Sequence, residues 1–306
     1  MDDPVLPGHE PTHPGLRIGE LSRRVGVTPD VLRAWERRYA ILRPHRSRSG
    51  QRLYTEDDEA RVRRMLGHMD AGYSASVAAR LAAEASAPSG LEVPASAPAA
   101  LADMAAMADD LRAALHGLDE AGAEAAIDSL LAAFALDTVL RDVVLPFLAD
   151  LGECWARGTV SVGQEHFATA VVAGRLHALA RGWDAGVGPR AVLACPSDER
   201  HDLGLLCFAL ALRGRGWRVC YLGADTPTTA IADVAAALDA QLVVLGAARA
   251  EPLVGVAAPL AELAATRRVC VGGRGAGAAL AARLGAERLP DDPIAAADLV
   301  SAPSNP

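Results

Sequence analysis

From Arg190 onward the chain repeats one pattern: a short apolar run, a break, then a stretch of helical period. The runs are Ala191–Cys195, Arg218–Leu222, Leu242–Leu245, Arg268–Val271 and a weaker Glu287–Leu289. Short, continuous apolar runs read as strands buried on both faces. Helices between them force parallel neighbours with right-handed crossovers. The pattern therefore predicts an open parallel α/β sheet over the last third of the chain. Ligands of such sheets bind outside the carboxyl ends of the strands.

The first of those ends carries the loop Pro196-Ser197-Asp198-Glu199-Arg200-His201-Asp202-Leu203-Gly204, and the apolar run Leu203 to Leu212 reads as the helix that follows. His201 thus sits on the ligand-binding edge, and Gly204 lets a bulky group approach the helix backbone. A lone loop histidine is more often solvated than a ligand. The carboxylate two residues before it changes that reading, because an acid beside an imidazole fixes the tautomer and raises the ring's basicity. The second strand ends in Tyr221-Leu222-Gly223-Ala224-Asp225-Thr226-Pro227, the third in Gly246-Ala247-Ala248, and the fourth in Gly272-Gly273.

Upstream, residues 101 to 186 read as four helices at about 102–116, 120–133, 136–156 and 162–183, with apolar residues at spacings of three and four. Short connections favour an up-and-down four-helix bundle. Ser161-x-x-Gln164 has the form of a capping box for the last helix. Trp155 closes the third helix and Glu165-His166 open the fourth, so one rim of the bundle gathers all three. On the residues alone, such a group is either a surface cluster or a cap over a ligand.

The first third differs in charge. The whole chain is −8, which argues against nucleic acid, yet Arg17 to Leu81 holds 14 Arg against 8 Asp and Glu, hence 14 − 8 = +6, leaving −14 for the rest. A basic head on an acidic body is the asymmetry of a DNA-binding module joined to something else. Ile18, Leu21 and Val25 mark one short helix, and Gly26-Val27 a turn. Thr28-Pro29 opens a second helix with an N-cap and an N1 proline. In that helix Val31, Leu32, Trp35 and Tyr39 are expected inward and Arg33, Arg37 and Arg38 outward. That is a helix-turn-helix whose second helix enters a major groove. Arg43 to Tyr54 follows as a wing suited to phosphate contacts, and Thr55 caps a further helix, Glu56–Met69. Residues 73 to 83 add another.

The expected organisation is a disordered arm at 1–15, a winged helix-turn-helix head at 16–83, a Pro/Ala/Ser linker at 84–100, the bundle at 101–186 and the sheet domain at 187–302. A chain of 306 residues has room for these parts. No apolar run reaches membrane-spanning length and the N-terminus lacks a signal pattern, so the expectation is a cytoplasmic protein, at the nucleoid when on DNA. The five cysteines lie mostly within apolar runs and read as small buried residues.

Two sets of motifs carry a resemblance. Arg33-Ala34-Trp35-Glu36-Arg37-Arg38-Tyr39, Pro44-x-Arg46 and Gly50-x-Arg52-x-Tyr54 resemble the MerR family of winged-helix regulators. By that resemblance Arg33, Arg37, Arg38, Arg46, Arg48, Arg52 and Tyr54 contact double-stranded promoter DNA. Glu199-x-His201-x-x-Gly204 resembles the Asp-x-His-x-x-Gly loop of cobalamin-binding domains, and Trp155-x9-Glu165-His166 resembles the cap of the light-sensing MerR-type regulators of the CarH and LitR group. The resemblance covers about 17–300. It implies a multidomain fold: an all-α winged head, a four-helix bundle, then an α/β flavodoxin-like (Rossmann-like) cobalamin-binding domain.

The resemblance further implies a repressor, not an enzyme, that holds adenosylcobalamin, with methylcobalamin as a second form. His201 would be the lower axial ligand of cobalt with Glu199 behind it. Trp155, Glu165 and His166 would surround the adenosyl group, and Gly204, Gly223, Asp225, Thr226, Gly246, Gly272 and Gly273 would line the site. Light would break the cobalt–carbon bond and shift a homo-oligomer, tetramer or dimer, off DNA.

Three positions depart from the pattern. Glu199 stands for the usual Asp. Gly246-Ala247 stands where many members have a Ser that bonds the lower base, leaving that base one contact short or dependent on backbone donors. Ala156 stands where photoreceptors of the group often carry a His. Two other readings stay open: a carrier subunit of a cobalamin methyltransferase or mutase, and a MerR-type regulator without cofactor.

Overall fold

The computed structural model describes residues 15–47, 50–84 and 97–302. The chain divides into two units, one of residues 1–105 with 132–135 and the other of 106–131 with 136–306. The expected arm and most of the linker lie outside the described residues.

In the first unit, α1 (Ile18–Val25) ends on Gly26 at φ 73°, a left-handed turn that glycine adopts without strain. Helix α2 (Pro29–Tyr39) starts on Thr28, whose side chain accepts from the Val31 N–H. Strands β1 (His45–Arg46) and β2 (Arg52–Leu53) pair antiparallel as the wing. Helix α3 (Glu56–Asp70) opens with a reciprocal capping box between Thr55 and Asp58, and α4 (Ala75–Glu84) packs against it. Asp58 is fully buried but accepts from the backbone N–H groups of Arg43 and Thr55 and pairs with Arg61. A buried charge so satisfied is tolerated. Tyr73 stacks on Phe134 at 4.9 Å and donates to Asp103 at 2.9 Å.

The helical part of the second unit draws on α5 (Ala97–His116), α6 (Glu120–Ala133), α7 (Leu136–Val139), α8 (Leu145–Ala156) and α9 (Val162–Leu179). Helix α5 starts five residues before the periodicity predicts, and α9 stops four residues short, leaving Trp183 in a turn. The expected single helix 136–156 contains a π-helical stretch, Leu140–Val144. Pro146 explains it: the ring cannot donate and clashes with the carbonyl four residues back, and a wider turn relieves both. Ser161 and Gln164 form the expected capping box.

The remainder is a five-stranded parallel sheet in the order β4-β3-β5-β6-β7. Its elements alternate: β3 (Arg190–Pro196), α10 (Leu203–Gly214), β4 (Arg218–Thr226), α11 (Thr228–Ala237), β5 (Leu242–Gly246), α12 (Ala250–Gly255), α13 (Ala257–Ala264), β6 (Arg268–Gly272), α14 (Ala278–Arg283), β7 (Glu287–Arg288) and α15 (Pro293–Ser301). The sequence changes direction beside β3, so the His201 loop leaves the sheet at the topological switch point. Leu205 to Leu212 are buried throughout, as a helix wedged between a sheet and other helices must be.

Helix α9 packs on α10. Arg213 donates to the Gly182 carbonyl at 2.6 Å, and Arg215 pairs with Asp137 at 3.1 Å and Asp298 at 2.6 Å. All five cysteines are free thiols. Among the described residues, no helix is long and apolar enough to cross a membrane.

Candidate cobalamin site and DNA-binding face

The loop after β3 is organised by one buried carboxylate. Glu199 is fully buried, and both its oxygens are occupied. Oε1 accepts from the His201 backbone N–H at 2.9 Å and faces its ring Nδ1 at 2.7 Å; Oε2 accepts from the backbone N–H groups of Ala248 at 2.8 Å and Arg249 at 3.2 Å. Burial pushes this carboxyl up, but the bonds from His201, Ala248 and Arg249 outweigh it and hold the group below the usual carboxylate range. An ionised carboxylate only accepts, so a ring proton lies on Nδ1, and Nε2 is the nitrogen turned away from Glu199. The side chain of His201 is 70% exposed. The loop therefore offers one imidazole nitrogen to solvent with its orientation fixed from behind. One carboxylate thus binds both its own loop and the loop after β5.

The neighbouring positions differ in how open they are. Gly204 lies in the first turn of α10, where an added Cβ would meet nothing within 4 Å, leaving bare helix beside His201. Gly223 at φ 80° and Asp225 at φ 51° turn the end of β4 back toward the His201 loop; the Asp225 N–H donates to the Glu199 carbonyl at 2.9 Å, and its Oδ1 accepts from Asp198 at 2.8 Å. The Thr226 hydroxyl donates locally to the carbonyls of Gly223 or Ala224. Gly273, at φ 91°, lies so close to the Ala247 carbonyl that a Cβ would overlap it, whereas Gly272 would meet only Leu289 at 3.6 Å.

Gly246 is packed: a Cβ would lie 3.2 Å from that of Leu205. The N–H groups of Ala247, Ala248 and Arg249 are committed to the Gly272 carbonyl and to Glu199. Burial first, then the carboxylates of Asp202 and Glu199, push the Cys195 thiol up to about 12. It stays neutral and is a poor competing ligand.

Three residues enter this site that were not among the expected site residues, although Asp202 and Tyr221 stand within the motif stretches. The Arg249 guanidinium donates to the Asp198 carbonyl at 2.8 Å, tying the two loops a second time. Tyr221 directs its hydroxyl at Asp202, 3.0 Å from Oδ2 and 3.1 Å from the carbonyl oxygen. Asp202 occupies the N-cap position of α10, yet its carboxylate caps nothing.

On the bundle, Trp155 is 53% exposed on the last turn of α8. Glu165 and His166 lie in the first turn of α9, Oε2 to Nδ1 at 2.5 Å, and Thr169 donates to Glu165 Oε1 at 3.0 Å. Cys154 and Arg157, which flank Trp155 in sequence, line a cavity of about 300 Å³ between α5 and α8, opposite Arg112 and His116. Among the described residues, no hydrogen bond or ion pair joins Trp155, Glu165 or His166 to the His201 loop.

On the head, Arg37 and Arg38 are exposed on α2, with Arg38 over the Tyr39 ring at 5.6 Å. Arg33 is exposed and paired with Asp30 at 2.7 Å. On the wing, Arg46 donates to the Gly50 carbonyl at 3.2 Å and Arg52 pairs with Glu36 at 3.1 Å. Arg48 lies outside the described residues. Two expectations are corrected. Val31 is 39% exposed because Leu32, one position on, takes the inward register of α2. Tyr54 is fully buried and donates to Glu36 at 2.9 Å, so it fastens the wing to α2 and does not present itself to DNA.

A winged helix-turn-helix joined to a helical bundle and a parallel sheet with an exposed histidine at its switch point defines a DNA-binding regulator with a corrinoid-type module. The comparisons agree. The model of the MerR HTH family regulatory proteins matches residues 16–85, and that of a B12 binding domain matches 107–180. The HTH-type transcriptional repressor CarH of Myxococcus xanthus is 36% identical over 215 residues, 69% of this chain and 71% of its own. CarA of the same organism is 32% identical over 267 residues, 85% and 87% of the two chains. The chain belongs to this family of MerR-type transcription regulators with a B12-binding domain. In fold it resembles the monomethylamine corrinoid protein of Methanosarcina barkeri, with a TM-score of 0.55 at 16% identity, covering 64% of this chain and 98% of that one.

Proposed function

We propose that this protein is a transcriptional repressor that holds adenosylcobalamin and reads its state as a change in oligomer and DNA binding. The observation that carries the reading is the Glu199–His201 pair, a fully buried carboxylate fixing a 70%-exposed imidazole with Nε2 outward. His201 would ligate cobalt from below. Gly204 leaves helix backbone open for close approach, and Gly223, Gly246, Gly272 and Gly273 would line the site through their backbone while their missing side chains make room for neighbouring loops. Trp155, Glu165 and His166 would hold the adenosyl group. When bound, adenosylcobalamin supplies a cobalt–carbon bond that visible light breaks. The exposed arginines of α2 and the wing would bind phosphates and major-groove edges. Several heads on one assembly would gain affinity through effective concentration.

A second reading, a cobalamin sensor indifferent to light, is favoured by one observation. Ala156 follows Trp155 and offers no side chain to bind metal.

The test is to mix dark apo-protein with adenosylcobalamin, remove free cofactor, and record the absorption spectrum and native mass before and after green light. Retained cofactor with a light-driven change in mass supports the photoreceptor. Retained cofactor at constant mass supports the sensor. Loss of the cofactor on removal of free ligand overturns the role given to His201.

A further inference from the structure

We propose that Tyr221 is a positioning residue for His201, acting through Asp202; the inference rests on His201 being the cobalt ligand. Aspartate is among the best N-cap residues because its oxygen accepts from the first free N–H groups of a helix. Asp202 stands at that position of α10 and forgoes the bond. Its carboxylate and carbonyl both face the Tyr221 hydroxyl instead, at 3.0 and 3.1 Å. The carbonyl also accepts from the Leu206 N–H at 2.9 Å, which opens the helix. One phenol therefore pins the residue directly after His201 and the start of the following helix together.

Strand β4 is shaped for this. Its pairing with β3 runs from Leu193 opposite Tyr221 to Ala194 opposite Gly223, so Leu222 is an extra residue in a bulge. Bulges bend a strand and re-aim its side chains, and they recur beside functional sites. Gly223, at φ 80°, then turns the backbone beneath Asp202; a Cβ there would sit 3.7 Å from Oδ2. The phenol ring is held as well. Trp183 meets it edge-on at 5.3 Å and His177 of α9 at 6.0 Å. The hydroxyl stays a donor, since burial and the Asp202 carboxylate both oppose its ionisation. Glu199 thus fixes the imidazole from one side of the loop, and Tyr221 fixes the backbone from the other.

The experiment uses the full chain loaded in the dark with adenosylcobalamin, in Tyr221→Phe, Asp202→Ala, the double variant and His201→Ala. Tyr221→Phe removes the donor, Asp202→Ala removes its carboxylate acceptor without costing a helix cap, and melting of the apo-proteins checks the fold. His201→Ala gives the spectrum without the protein ligand. The expected result is that each single variant shifts the bound spectrum part of the way toward that of His201→Ala and raises Kd by at least about tenfold, the scale of one hydrogen bond to a charged group. The double variant should match the singles, because they remove one shared interaction. A Tyr221→Phe protein with wild-type spectrum and Kd overturns the inference alone. A wild type that already shares the His201→Ala spectrum overturns the reading of His201 and the inference with it. Should Tyr221→Phe fail to fold, Asp202→Ala decides by the same two measurements.

Discussion

Glu199→Gln is the sharpest perturbation of the site, since it changes one oxygen to an NH2 group at nearly constant shape. The native carboxylate accepts four N–H groups in a fully buried setting. An amide can accept only through its single oxygen. If that oxygen stays toward His201, the new NH2 confronts the N–H groups of Ala248 and Arg249, and two part-buried donors lose their acceptor. If the amide flips, the His201 backbone N–H loses its acceptor, and the ring turns Nδ1 into the acceptor, which puts the proton on Nε2 and blocks the ligating atom. Hydrogen bonds to charged groups contribute about 1.5–3 kcal/mol each, so losing two costs about 3–6 kcal/mol. For a unit of this size that corresponds to a fall in Tm of roughly 6–24 °C. The assay is thermal unfolding of the apo-protein together with cobalamin retention at a temperature where the variant remains folded. The expected outcome is a lowered Tm and, separately, weakened retention. A variant that melts within 1–2 °C of wild type (about 1 kcal/mol or less) would refute the view that this carboxylate ties the two loops together.

Glu36→Gln should free Arg52 from its ion pair and loosen the Tyr54 latch while keeping the side chain's shape. DNA affinity at low salt rises, and the log Kd against log salt slope steepens by about 0.9 as one more phosphate contact forms; an unchanged slope argues that Arg52 never reaches a phosphate. Gly273→Ala should destabilise the sheet domain by at least about 1–3 kcal/mol, because its φ of 91° and the adjacent Ala247 carbonyl both exclude a Cβ; wild-type melting would contradict that. His68 is buried, with Nδ1 unpaired and its ring edge-on to Tyr73, and burial followed by the Arg64 charge holds its pKa below 6.5. The unfolded chain then binds more protons than the folded one below pH 6.5. Head stability, read as the urea midpoint of Trp35 emission, should accordingly be full above that pH and fall as the pH drops toward the folded value, with the slope flattened in His68→Phe.

What was legible in the sequence follows from which interactions are local. The strands lie within a few residues of their apolar runs, and both the Ser161–Gln164 box and the Thr28 cap are present, because period and capping chemistry act within a turn or two. Glu199 and His201 were legible for the same reason, being two residues apart and touching. The π-helical stretch before Pro146 had a signal, a proline inside a helical pattern, that the period alone smoothed over.

Tyr54 and Asp202 had no such signal. A tyrosine in a run of alternating arginines reads as part of an exposed wing, and only the fold brings Glu36, eighteen residues earlier, against its hydroxyl. Asp202 before an apolar helix reads as an ordinary cap. Its partner Tyr221 is nineteen residues downstream on another strand, and the pairing depends on a bulge that no composition specifies. Both cases have the same physics. A polar side chain that could satisfy itself locally is drawn off by a phenol that is buried in Tyr54 and half-buried in Tyr221, because leaving a hydroxyl shielded from water without an acceptor costs more than leaving a solvent-accessible helix end uncapped. Local rules therefore locate the Glu199–His201 pair, whereas the residues that hold its loop in place come from long-range competition among polar groups for partners.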